Sequence, residues 1–296
     1  MLILGLGPVV SLSGWFQSQN PYYPIEVLSL MKIPPVVRKV WLIIFPFLIG
    51  SLSPLYAEVL DPAYQQRQEA LIQRLQQRGF SDQELSRLFS DSRVTLYPEI
   101  VERKGKGVDY LGSRFGLLSL KSLQQGKLTL ETNKRILRTI ENDYGVKGEV
   151  LIAILRVETN FGRYIGNHVV FNSLLTMTLI ENRRSAWAEE ELIHLLWLCR
   201  RENKDPLSLK GSWAGAFGIP QFVPSSYLKY AVDGNGDGRV DLHDLTDALA
   251  SMANYLRAFG WSPEEPERKK EALFAYNRCH QYVEAVLTYA RALSEH

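Results

Sequence analysis

Between Val146 and Gly166 the chain reads VKGEVLIAILRVETNFGRYIG, and this stretch limits the fold more than any other. Leu151, Ile154 and Leu155 precede Glu158 by seven, four and three residues, so on a helix they share its face, and that face is apolar. A carboxylate is thereby placed where water is scarce. Desolvation disfavours the charged form and raises a carboxyl pKa, which is how a glutamate becomes able to donate a proton near neutral pH. Gly162 is expected to end the helix as a left-handed cap, leaving Glu158 in the last turns beside a loop that borders a cleft. The plain alternative is a glutamate facing solvent at a frayed helix end, or one paired with Arg156 or Arg163. Structural ion pairs also hold buried carboxylates, so this stretch alone favours the plain reading and the rest of the chain must decide.

Three further elements bear on it. Lys210 to Tyr227, KGSWAGAFGIPQFVPSSY, interleaves small residues with Trp213, Phe217 and Phe222. That suits close backbone approach and aromatic platforms; a tightly turned segment with core aromatics is the alternative. Asp233 to Asp244, DGNGDGRVDLHD, has oxygen side chains at positions one, three, five and nine, glycine at six, a β-branched residue at eight and a carboxylate at twelve. This is the calcium-loop pattern of an EF-hand. Calcium takes roughly six to eight oxygens, and the loop offers Asp233, Asn235, Asp237, the backbone carbonyl of Arg239 and Asp244, with Asp241 acting through water. Asp244 is shorter than the usual glutamate, so Asp247 is a second candidate to close the site. One structural calcium ion is expected, stabilising the loop by mass action. Finally, LFAYNRCHQYVEAV places Tyr276, Asn277 and Tyr282 in a late helix.

Elsewhere the pattern is helical. Asp61 to Arg78 has proline at a helix start and Gly79 at its end, and Ser81 with Glu84 makes a capping box for a short helix through Phe89. Residues 90 to 128 are broken by Pro98 and five glycines and read as loops. Thr129 to Tyr144, Trp187 to Arg201 and Leu245 to Phe259 read as amphipathic helices, and strand signals are nearly absent. The class is mainly α. Residues 1–57 carry Lys32, Arg38 and Lys39 against Glu26 alone, so the formal charge of +2 resides there and the remainder balances 31 basic against 31 acidic residues. Nothing in that balance suits a nucleic-acid partner. From Met31, basic residues, an apolar run from Val40 to Leu52 and small residues before Ala57 read as a secretory signal peptide cleaved after Ala57, with Met31 as a candidate true start. Residues 58–296 are then the exported domain. No cysteine stands near the cleavage site for lipid attachment, and Cys199 and Cys279 are open to either a disulfide or two thiols.

Taken in order, YGV at Tyr144, the ET..G segment at Glu158, the pair Arg183 and Arg184, KGSWAGAFGIPQFVPSSY, the acidic loop, NYLRAFGW from Asn254 and YN at Tyr276 resemble the lytic murein transglycosylase B family. The likeness runs from about Thr129 to the C-terminus. It implies a goose-type, lysozyme-like catalytic core with an EF-hand-like calcium loop, two lobes around a groove, and cleavage of peptidoglycan outside the cytoplasmic membrane. Glu158 matches the family's single catalytic acid. Ser212, Gln221, Tyr276 and Asn277 match residues lining its sugar cleft, as do Arg183, Arg184 and Tyr282, and Tyr110 matches an upstream cleft tyrosine at a different spacing. The chain departs from the pattern at Trp187, where tyrosine is common, at Ile219 and Pro220, and in a shortened segment between Trp261 and Leu273. The resemblance implies a periplasmic monomer, peripheral to the envelope, acting on peptidoglycan glycan strands with no organic cofactor. A lysozyme-type hydrolase and a non-catalytic, calcium-dependent wall-binding protein are the two alternatives.

Overall fold

The computed structural model describes residues 62–103 and 107–295, so the stretch read above as a signal peptide cleaved after Ala57 lies outside the described residues. The helices run α1 (Pro62–Gln77), α2 (Asp82–Phe89), α3 (Leu120–Thr132), α4 (Lys134–Tyr144), α5 (Gly148–Thr159), α6 (Val170–Leu179), α7 (Ser185–Arg201), α8 (Pro224–Tyr230), α9 (Leu245–Ala258), α10 (Pro266–Tyr276) and α11 (His280–Ser294). The sheet content among the described residues is one two-residue ladder, β1 (His168–Val169) antiparallel to β2 (Lys210–Gly211). No described helix is long and apolar enough to cross a membrane.

The chain divides into two compact units that alternate along the sequence. The first holds 107–170 and 209–295; the second holds 62–103 and 171–208. In the second unit, Ser81 caps α2 through both bonds of the expected capping box: its hydroxyl accepts from the Glu84 amide, and the Glu84 carboxylate accepts from the Ser81 amide at 2.8 Å. Asn172 on α6 donates to the Arg93 carbonyl at 2.9 Å, tying α6 to the segment that follows α2. Cys199 and Cys279 are both free thiols.

The first unit is assembled around α5. Every residue from Val150 to Thr159 is buried, so this helix is enclosed on all sides and packs on α3, α4, α9 and α11. Between β1 and β2 the backbones nearly touch: a Cβ on Gly166, which has φ +93°, would stand 2.1 Å from the Gly211 carbonyl oxygen. Only glycine meets both demands.

Four local expectations are corrected. Residues 120–128 are helix, not loop: Ser119 caps α3 by accepting from the Ser122 amide, and Gly126 is accommodated inside it. The helix read as continuous from Thr129 to Tyr144 breaks at Asn133, whose amide and side-chain nitrogen both bond the Thr129 carbonyl. A side chain that captures the backbone in this way competes with helix continuation. The left-handed cap of α5 is Asn160 (φ 49°), with Phe161 (φ 62°) and Gly162 (φ 77°) continuing the turn. And the late helix is two helices, because Asn277 adopts extended backbone (φ −142°, ψ 115°) between α10 and α11.

Candidate active site

Glu158 is 3% exposed in the last turn of α5. The plain alternative for it fails on geometry. Arg156 lies two positions away, about 200° around the helix, so the two side chains leave opposite faces. The Arg156 guanidinium bonds the Ser122 hydroxyl at 2.8 Å and the Phe115 carbonyl at 3.0 Å, while Arg163 donates to Gln125. Neither arginine makes an ion pair within the described residues.

What stands near Glu158 is a pair of phenols. Tyr276 ends α10 and Tyr282 opens α11, and their rings stack 6.4 Å apart, within 8° of parallel. Burial raises the pKa of both well above the ordinary tyrosine value, and the negative charge of Glu158 is the next cause in each case. Both therefore stay neutral at physiological pH. The Tyr276 hydroxyl donates to the Pro220 carbonyl at 2.6 Å, so its phenol end is enclosed although part of its ring keeps some surface. Tyr282 is fully buried, and its hydroxyl makes no hydrogen bond of standard geometry, leaving the Glu158 carboxylate as the polar group that acts on it. Tyr110, 3% exposed, meets the Tyr282 ring edge-on at 5.9 Å.

The segment before α8 closes against the end of α5. Thr159 donates to the Ile219 carbonyl at 3.3 Å and accepts from the Gly162 amide at 3.0 Å. Gln221, held at φ 52°, donates to the Ile165 carbonyl at 3.1 Å and to the Gly218 carbonyl at 2.7 Å. Its carboxamide oxygen and that of Asn277 are buried atoms with no hydrogen-bond donor. Such acceptors are rare inside proteins and invite a ligand N–H or O–H. Ser212 is 3% exposed, and its hydroxyl accepts from the Ala216 amide at 3.0 Å. Phe217 and Phe222 are core residues at 3% and 2% exposure, as the tightly turned reading of this segment expects, and not platforms. Phe222 and Tyr255 pack on Tyr276 at 5.9 and 4.9 Å and so support the site from behind. Their signal in the sequence was only that of buried aromatics.

Glu158, Tyr110, Ser212, Gln221, Tyr276, Asn277 and Tyr282 thus all belong to the first unit, while Arg183 and Arg184 belong to the second. Arg184 lies over the face of Trp187 at 4.1 Å, and one terminal nitrogen is buried without a hydrogen bond. Burial, then the charge of Arg183, lowers its pKa to about 10, which leaves it cationic at neutral pH. The second unit also has a cavity of about 440 Å³, lined by Phe80, Arg93, Cys199 and Lys204 among others and by none of the candidate residues.

The acidic loop is bonded to itself. Asp233 accepts from the amides of Gly236 (2.6 Å), Asp237 (3.2 Å) and Gly238 (2.7 Å). Asn235 accepts from Asp237, Asp237 from Arg239, and Asp241 from His243. Asp244 caps α9, accepting from Thr246 and Asp247. Asp247, 1% exposed, reaches back to accept from Gly234, Asn235 and Asp241. Its oxygens therefore span the loop from both ends. Among the described residues no three histidine, cysteine or acidic side chains stand close enough to hold a metal ion. In this arrangement the donor set does not converge on a cation.

Known proteins share this fold and much of this sequence. The chain is 34% identical over 205 residues to the membrane-bound lytic murein transglycosylase B of Escherichia coli, a match spanning 66% of this chain and 57% of that protein. It thus spans little more than half the length of that relative. The fold resembles the Escherichia coli lytic transglycosylase SLT35 solved in complex with calcium, with a TM-score of 0.68 and 25% identity over 83% of this chain and 99% of that one. It also resembles SltB3 of Pseudomonas aeruginosa solved in complex with NAG-anhNAM-pentapeptide, with a TM-score of 0.69 and 26% identity over 79% of this chain and 80% of that one. The profile of the transglycosylase SLT domain matches residues 63–270. With that match across most of its length, and with a buried glutamate backed by two phenols at the end of its central helix, the chain belongs to the transglycosylase SLT domain family.

Proposed function

We propose that the protein is a lytic transglycosylase that cleaves the β-1,4 bond between N-acetylmuramic acid and N-acetylglucosamine in peptidoglycan. The observation that carries this reading is Glu158 itself, buried at the end of α5 and acting electrostatically on Tyr276 and Tyr282. As acid, Glu158 gives its proton to the linking oxygen while positive charge develops at the muramyl anomeric carbon. The substrate's own acetamido oxygen stabilises that carbon, as in substrate-assisted glycosidases. Glu158, now a carboxylate, takes the proton of the muramyl C6 hydroxyl, whose oxygen bonds to the anomeric carbon. The product is 1,6-anhydro-N-acetylmuramic acid; one bond breaks, one forms, and no water is consumed.

The tyrosines support this division of labour. Their raised pKa values keep them protonated, so neither serves as the base, and Glu158 is the one carboxylate among the described residues whose charge acts on both. Gln221 and Asn277 offer unfilled acceptors for acetamido N–H or sugar O–H groups, and Ser212 and Tyr110 complete the wall. Arg183 and Arg184 are assigned to binding the acidic groups of the strand. A relative solved with an anhydro-muramyl ligand supports the product, and one solved with calcium supports a structural ion, for which Asp233, Asn235, Asp237, the Arg239 carbonyl and either Asp244 or Asp247 are the candidate donors. In that reading the ion replaces some of the amide bonds of the loop and stabilises it, taking no part in the reaction. Export to the periplasm and action as a peripheral, monomeric enzyme complete the proposal.

The test is Glu158→Gln. Loss of a general acid lowers the rate by about 10²–10⁴-fold, so murein release from purified sacculi should fall by that factor while sacculus binding persists. Wild-type release by the variant defeats the catalytic assignment. Mass spectrometry of the wild-type digest separates lytic from hydrolytic cleavage, because the anhydro product is lighter by one water.

A further inference from the structure

Arg156 is the one buried arginine among the described residues, 6% exposed, and it has no carboxylate partner. Taking a guanidinium out of water without an opposite charge is unfavourable, so its retention calls for a reason beyond packing. Its contacts supply one. The guanidinium sits over the Phe115 ring, 5.0 Å from its centre, and donates to the Phe115 carbonyl. Phe115 meets Tyr110 edge-on at 5.5 Å, Tyr110 meets Tyr282 edge-on at 5.9 Å, and Tyr282 lies beside Glu158. A second route reaches the same place. Arg156 Nε bonds Ser122 Oγ, which donates to Tyr289 Oη at 3.3 Å, and Tyr289 returns a bond to the Ser122 carbonyl at 2.6 Å. Tyr289 and Tyr282 are seven residues apart on α11 and share a face.

We infer that Arg156 is a positioning residue for Glu158: from the opposite face of α5 it clamps the 107–119 segment and α11, and through Tyr110 and Tyr289 it fixes the Tyr282 ring against the carboxylate. The inference rests on Glu158 being the acid and base proposed above. Proton transfer depends on geometry to a fraction of an ångström, whereas glycan contacts elsewhere in the site do not pass through Arg156. Loss of the clamp therefore falls on kcat rather than KM.

The full chain carrying Arg156→Met, Arg156→Lys, Tyr110→Ala and the Arg156→Met/Tyr110→Ala pair is assayed on soluble, uncrosslinked glycan strands, with folding verified by circular dichroism. Arg156→Met is expected to lower kcat by about tenfold or more with KM changed less than about threefold. Arg156→Lys recovers part of kcat, and the loss in the double variant is smaller than the product of the single losses, since Arg156 and Tyr110 share the first of the two routes. Wild-type kcat in Arg156→Met, or single losses that multiply in the double variant, overturns the inference. If Arg156→Met does not fold, Ser122→Ala, which removes the Nε partner together with its bond to Tyr289 Oη and so cuts the second route, takes its place: lowered kcat at unchanged KM supports the clamp, and wild-type kcat overturns it. Glu158→Gln in the same assay separates the two readings. Wild-type release there defeats the catalytic assignment, whereas a dead Glu158→Gln beside a fully active Arg156→Met defeats the positioning role alone.

Discussion

Gly126→Ala sets two effects of opposite sign against each other. Gly126 is buried in the interior of α3, where alanine is favoured over glycine by about 1 kcal/mol on helix propensity alone. A Cβ there would stand 2.6 Å from Tyr289 Oη and 2.8 Å from Leu293 Cδ2 on α11. Tyr289 is not free to swing away. It is fully buried, and its hydroxyl is bonded to the Ser122 carbonyl. Overpacking of this kind costs ~1–3 kcal/mol, and displacing the hydroxyl loses a hydrogen bond of ~1 kcal/mol. The clash wins, leaving a net destabilisation of about 1–3 kcal/mol, or a drop in Tm of about 2–12 °C at some 2–4 °C per kcal/mol. A thermal melt followed by circular dichroism measures it. Tyr289→Phe removes the nearest obstructing atom, so Gly126→Ala/Tyr289→Phe should melt higher than the sum of the single effects implies. An unchanged or raised Tm in Gly126→Ala refutes the close approach of α3 and α11.

Other outcomes are equally checkable. Asn277→Ala removes a buried acceptor that no protein donor satisfies, so Tm should change by less than about 2 °C while murein release falls about tenfold; a large drop in Tm with full activity would make Asn277 a structural residue. Chelation of divalent cations should lower the Tm of metal-loaded protein, with Asp247→Asn abolishing the response, and an identical melt with and without chelator rejects the structural ion. Burial pushes the Cys199 thiol up to about 12, so native protein at pH 8 should resist alkylation there, as peptide mapping will reveal; labelling at the rate found in urea contradicts the buried thiol. Because the folded value is raised, that thiol's contribution to stability is complete below the unfolded pKa and is lost as pH climbs from there toward about 12, which an alkaline titration of Tm will register.

Local signals made much of this legible from sequence. The burial of Glu158 followed from apolar residues three, four and seven positions before it, and the Ser81 and Glu84 capping box from two residue types at fixed spacing. Features that depend on distant partners were not legible. Gly126 reads as a breaker until Tyr289 is seen above it, which is why α3 was missed. Asn277 lies in a helix-compatible sequence, yet the chain turns extended there and separates Tyr276 from Tyr282. The three successive left-handed residues ending α5 include Phe161, a residue no propensity would place there, and such strain persists only where surrounding structure imposes it. The partners of Arg156 come from two other elements, so its charge looked like a candidate mate for Glu158 when it faces the other way.

The short ladder of β1 and β2 sits where the chain leaves the first unit and where it comes back, with the Val170 amide donating to the Leu209 carbonyl at 2.9 Å. Exit and return are therefore stapled side by side by main-chain bonds alone, independent of whatever lies between. Lengthening a loop within 171–208 leaves those main-chain bonds in place and adds only a slowly growing loop-closure penalty.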